Sequence, residues 1–165
     1  MLQDTGDLIK KDNYRDFSAF GGLPIYIMIL MILYTIGEMP ALKQLAAGLV
    51  IAYIITVFFR VFYFKQRPEK QKYKNFIEKI DAGSFPSLHA MRSAILGVVL
   101  ASYFANVLLT VIFALCIIGV AITRVLLKRH DPVDVSAGMG IGLAVGFVII
   151  LHLTPFLASF VFFGM

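Results

Sequence analysis

Five stretches of this chain are long enough, and free enough of charge, to cross a lipid bilayer, and this limits what it can fold into. A hydrocarbon core of ~30 Å requires about 20 apolar residues per helical crossing. The stretches fall at about 19–37, 42–64, 88–104, 107–123 and 133–153. Only Ala105 and Asn106 separate the third from the fourth. One helix over both would be roughly 54 Å long at 1.5 Å per residue, so the chain must turn there, and asparagine tolerates a turn well. A backbone in lipid has to satisfy its own hydrogen bonds, and the stretches lack the period-2 alternation of barrel strands. The expected fold is therefore all-α: an integral membrane bundle of about five transmembrane helices, one domain over residues 1–165.

Composition agrees, with 59% hydrophobic and 15% charged residues, too apolar for an ordinary soluble domain of this size. The apolar tail Pro155 to Met165 is too short to cross and is expected at the interface. Residues Met1 to Ser18 carry mixed charge, unlike the basic start and short apolar run of a secretory signal, and are expected on the membrane surface as helix or loop. Cys116 is the only cysteine, so neither an intramolecular disulfide nor a thiolate metal cluster can be built from this chain. The glycines Gly138, Gly140, Gly142 and Gly146 suit close packing, either within the bundle or between chains, and oligomeric state is not legible from them.

Counting crossings puts the amino terminus, the segment 65–87 and the segment 124–134 on one side of the membrane. Of the fifteen Lys and Arg residues, Lys43 alone belongs to the other side. Lys10, Lys11, Arg15, Lys65, Lys70, Lys72, Lys74, Lys79, Lys128 and Arg129 crowd the first side without any assigned chemical duty. The positive-inside rule then puts that side in the cytoplasm. Such basic loops serve either as a topology signal or as an attraction for anionic lipid head groups. The expected surroundings and partners are the bilayer and a membrane lipid, not a nucleic acid.

Three polar clusters converge on this side. Arg60 and Arg67-Pro68 close the second stretch, and seven residues are two helical turns, so both guanidinium groups can point from one face. An arginine at such depth faces the bundle interior, pairs, or snorkels to the interface. Ser84 to Ala90 precedes the third stretch; Ser87 suits an N-cap, and the amides after it would form an anion site with His89 close by to donate a proton. Thr123 to Asp134 joins the fourth and fifth stretches. There Asp131-Pro132 signals a helix start, which places Asp134 in the first turn, within reach of His130. A carboxylate at that position fixes the imidazole tautomer, favours the imidazolium and leaves the other nitrogen free to attack; an acid in a first turn also complements the helix dipole. Three arginines, a helix start and two histidines are a sufficient inventory for phosphoryl transfer without a metal.

These residues resemble the signature of the type-2 phosphatidic acid phosphatase superfamily, which includes membrane lipid phosphatases and, on the soluble side, vanadium haloperoxidases. Its first motif, Lys, six residues, Arg-Pro, is matched by Arg60 and Arg67-Pro68 with Arg in place of Lys. Its second, Pro-Ser-Gly-His, is matched by Pro86-Ser87-Leu88-His89, where Leu88 replaces the Gly that permits close backbone approach. Its third, Ser-Arg, five residues, His, three residues, Asp, is matched by Thr123-Arg124, His130 and Asp134 with every spacing kept. The resemblance covers about Arg60 to Asp134 and the helix after it. It implies that His130 forms a phosphohistidine, that Asp134 orients it, and that His89 protonates the leaving group and then activates water. Arg60, Arg67, Ser87, the Leu88 amide and Arg124 would hold the phosphate, and no metal or cofactor is required. Arg92, three residues after His89, either meets a head group or second phosphate, snorkels, or pairs with Glu78 or Asp81. The implied substrate is a phospholipid or a polyprenyl phosphate or pyrophosphate.

Membrane members of that family usually have six crossings, so one looks to be missing at the amino end, and many present the site externally. The charge count points the other way, to the cytoplasm. Two rivals from other classes are a small transporter, which would spread its charges through the bilayer, and a lipid-binding protein that keeps the fold with weak or no catalysis.

Overall fold

The computed structural model describes residues 11–163, with side chains through Leu153. The expectations for Met1 to Lys10 lie outside the described residues. Among those described there are seven helices and no strand: α1 (Lys11–Gly21, its last turn 3₁₀), α2 (Leu23–Thr35), α3 (Met39–Phe62), α4 (Phe76–Ala82), α5 (Leu88–Phe104), α6 (Val107–Leu126) and α7 (Pro132–Phe163). The fold is an all-α membrane bundle, as expected. α3, α6 and the first 22 residues of α7 are long and apolar enough to cross, and α1 and α2 together meet the same length and hydropathy test as a bent pair. α5, at 17 residues, reaches roughly 26 Å. It begins inside the protein rather than in lipid.

Several boundaries differ from expectation, each for a local reason. The first stretch is not one helix: α1 and α2 meet at 42°. Gly22 is extended there and Pro24 opens α2, so the α conformation is interrupted at the glycine and restarted by the proline. α3 ends at Phe62, so Arg67 lies in the following loop and the two-turn argument relating it to Arg60 does not apply. The polar loop contains the short helix α4, capped by Asn75, whose side chain accepts the Glu78 amide at 2.8 Å. The α5–α6 turn falls where predicted, with a division of labour: Ala105 takes the left-handed conformation (φ 46°), while Asn106 caps α6 by accepting the Leu109 amide at 3.1 Å. The tail does not break away at Pro155, because a helix satisfies its backbone groups in an apolar medium, and α7 continues to Phe163.

α5 is the hub. Ala90, Met91, Ala94, Ile95 and Val99 have no exposed surface, and the helix packs against α7, α6 and α3. Large apolar side chains on the outer faces of α3 and α6, such as Ile54, Phe58, Leu108, Leu115 and Ile122, are exposed in the isolated chain and therefore face lipid. Between helices already surrounded by lipid, close contact of small residues is what drives association. A Cβ added to Gly138 would lie 2.4 Å from the Ser87 carbonyl oxygen, and one added to Gly142 would lie 2.4 Å from that of Met91. These two glycines thus let the start of α7 lie directly on the start of α5, and Gly146 continues the seam against Val98. Gly140 faces open space.

The glycines therefore make a paired prediction. Gly138→Ala should lower stability by about 1–3 kcal/mol through overpacking, whereas Gly140→Ala should be neutral or gain up to about 1 kcal/mol of helix propensity. Thermal unfolding of both variants in detergent checks it, and equal shifts would contradict the seam.

Candidate functional site

The polar clusters meet at one end of the bundle because three backbone segments are laced together there. The Ser84 amide donates to the Lys65 carbonyl at 2.8 Å, and Gln66 pairs with Gly83 in an isolated bridge. The Glu69 amide donates to the Lys128 carbonyl at 3.0 Å, and the Ser87 amide to the Asp134 carbonyl at 3.0 Å. The loop after α3, the start of α5 and the α6–α7 junction are therefore one unit.

α7 begins with a reciprocal cap. The Asp134 amide donates to Asp131 Oδ1 at 2.9 Å, and the Asp131 amide returns a bond to Asp134 Oδ2 at 3.2 Å, with Pro132 as the first helical residue. Asp134 has no exposed surface. Its Oδ1 takes Lys65 Nζ at 2.7 Å, and its Oδ2 accepts the buried Ser84 hydroxyl. Lys65 also pairs with Asp131. Burial works against the Lys65 charge, but its bonds to Asp131 and Asp134 outweigh this and raise its pKa.

His130 stands immediately before this helix and is 2% exposed. Its Nδ1 lies 3.7 Å from Asp134 Oδ2, ion-pair range but longer than a hydrogen bond. Burial pushes the imidazole below its ordinary range; Asp134 opposes this, and the Arg124 and Arg67 guanidinium groups reinforce it. The balance favours the neutral imidazole, the state in which it is a nucleophile, and not the imidazolium that the neighbouring carboxylate alone would favour.

The arginines surround this corner. Arg124, in the last turn of α6, donates from Nη1 to Ser18 Oγ at 3.1 Å, and its carbonyl accepts the His130 amide at 3.3 Å. Arg60 and Arg67 reach the same carbonyl in the last turn of α4, Asp81 O, at 3.4 and 2.7 Å, and Arg60 also donates to Ile80 O at 3.1 Å. Burial and Arg129 lower the Arg67 pKa, against Asp81. Among the described residues, Arg60 Nε, Arg124 Nε, Ser87 Oγ and His130 Nδ1 are buried with no hydrogen-bond partner. His130 Nδ1 faces Asp134, and the unsatisfied Arg60, Arg124 and Ser87 donors point to an anion.

A cavity of about 190 Å³ opens between α1 and the α6–α7 junction, lined by His89, Arg124, Ser18, Arg15, Lys11, Glu69 and Arg129 among others. His130, Asp134, Arg60 and Arg67 do not line it. Of these, Arg67 and His130 are, like Arg124, within electrostatic reach of His89. Two expectations need correction. Ser87 occupies the N-cap position of α5, with Leu88 as the first helical residue, but its hydroxyl makes no capping bond. Arg92 is 3% exposed and committed to packing: Nε donates to Gly21 O and Nη1 to Tyr53 OH, both at 3.1 Å, rather than to Glu78 or Asp81.

Sequence reasoning missed Lys65 and Ser84. Lys65 had been counted only as a topology charge, and Ser84 sat in the second cluster without a role. The approach of α1, which brings Ser18 to Arg124, was also not foreseen, since α1 was expected merely to rest on the surface.

A family model described as the PAP2 superfamily matches residues 41–156. The crystal structure of LpxE from Aquifex aeolicus is similar to this fold, with a TM-score of 0.73 at 19% identity, covering 87% of each chain. No curated protein matches the sequence significantly.

Proposed function

Since the chain belongs to the PAP2 superfamily, we propose that it is a membrane lipid phosphatase that works through a phosphohistidine on His130. The observation that carries this reading is the buried His130 beside Arg124 and Asp134, within electrostatic reach of His89, which lines the cavity. With Nδ1 turned toward Asp134, Nε2 is the attacking atom. Its lone pair forms the P–N bond as the P–O bond to the lipid breaks, and His89, which takes up a proton as the anionic phosphate binds, gives that proton to the departing oxygen. His89 then takes a proton from water, the hydroxide attacks phosphorus, and the P–N bond breaks to release phosphate. Arg60, Arg67 and Arg124, with Ser87 and the first amides of α5, stabilise the charge on the transferring group. The substrate is a phospholipid or a polyprenyl phosphate or pyrophosphate, its tail in the bilayer and its phosphate at the basic end. Conversion of a transporter-like bundle is not needed for this, since the charges gather at one end of the helices.

We place that basic end on the cytoplasmic face. Lys65 leaves the tally of uncommitted cations because it belongs to the site, and Lys11, Arg15 and Arg129 because they line the cavity, while Lys10, Lys70, Lys72, Lys74, Lys79 and Lys128 keep the asymmetry against Lys43. A Lys74→Cys variant should resist a thiol reagent that cannot cross membranes in intact cells; labelling there would reverse the orientation.

His130→Ala and His89→Ala should each abolish phosphate release from lipid phosphates while leaving the protein folded. Wild-type release by His130→Ala would end the covalent mechanism. Protonation removes the nucleophile, so kcat/KM should fall as pH drops through a value below the ordinary histidine pKa of about 6.5. A pH profile locates that limb, and a midpoint above this value would contradict the environment described for His130.

A further inference from the structure

Lys65 closes a ring of bonds that the three motifs do not include. Its carbonyl accepts the Ser84 amide at 2.8 Å, the Ser84 hydroxyl donates to Asp134 Oδ2, and its own ammonium donates to Asp134 Oδ1 at 2.7 Å. The same ammonium pairs with Asp131. Two carboxylates three residues apart, each bonded to the other's amide, would repel without a cation between them. Both are needed: Asp131 caps α7, and Asp134 is the carboxylate that stands 3.7 Å from His130 Nδ1.

We infer that Lys65 is a positioning residue for the reacting histidine: its ammonium holds Asp131 and Asp134 together and so sets the place and the strength of the carboxylate facing His130. A carboxylate whose charge is shared with an ammonium attracts a proton on His130 less strongly than a free one would. Lys65 thereby adds to the burial that favours the neutral imidazole, while the ring through Ser84 keeps the carboxylate from swinging away. The groups that act on His130 are Asp134 from α7, Arg124 from α6, Arg67 from the loop after α3 and His89 from α5. Lys65 reaches it through Asp134. The chemical consequence rests on the phosphatase reading; the electrostatic one does not.

The test uses the full chain in detergent micelles with ¹⁵N-labelled histidine. There are three histidines, and the His130 signal is identified by its loss in His130→Asn. In Lys65→Met the His130 titration midpoint should move up, because a cation is removed and Asp134 is left to pair with the imidazole alone. In Lys65→Arg it should stay near the wild-type value, because the charge is kept. Lys65→Gln, which retains a donor but no charge, takes the same measurement if the Met variant does not fold. Phosphate release by the neutral variants should fall about 10- to 100-fold in kcat, the scale of a small misplacement in an active site, with KM little changed and substantial rescue in Lys65→Arg. An unmoved midpoint in both neutral variants would overturn the proposal. A moved midpoint in a protein whose wild type releases no phosphate would uphold Lys65 and remove the phosphatase reading instead.

Discussion

A carboxylate with no exposed surface at the edge of a membrane has to be neutralised where it sits, and most of the site follows from how Asp134 meets that requirement. Its partners come from three places: Lys65 after α3, Ser84 before α5, and the Asp131 amide at its own helix start. Each bond fixes a segment that also carries a motif residue. Satisfying Asp134 therefore brings Arg67, Ser87 and His130 into one corner.

The bundle makes this convergence possible by removing side chains where backbones must touch. Gly138 and Gly142 seat α7 on the start of α5, and the Ser87 amide is then close enough to bond the Asp134 carbonyl at 3.0 Å. From the other side, α1 delivers Ser18 to Arg124, and Gly21 lies so close to the His89 carbonyl that an added Cβ would be 2.7 Å from it. Arg92, which lies on α5 three residues after His89, holds that approach by bonding Gly21 and Tyr53. A residue weighed as a head-group contact is committed instead to helix packing.

The helical membrane fold was legible because apolar length in lipid admits few alternatives, and the turn at Ala105-Asn106 because two crossings cannot share one helix. The first crossing was misjudged because hydropathy does not register a bend at Gly22 and Pro24, and the end of α3 because Phe62 and Phe64 are equally apolar. Candidate site residues were legible where spacing encodes them, as in Arg124, His130 and Asp134. Lys65 and Ser84 were not, since their meeting with Asp134 depends on the fold and on no local pattern. Lys65 also resembles, in sequence, any lysine at a membrane boundary.

The central claim is that His130, His89 and Arg124 serve one tetrahedral or trigonal bipyramidal anion. A crystal structure of the full chain with vanadate tests it most directly. Vanadium should lie within bonding distance of His130 Nε2, its oxygens held by Arg124 and Arg67, with His89 facing the apical oxygen opposite the histidine. Vanadate bound elsewhere, or bound at the cavity with His130 turned away from it, would contradict the account.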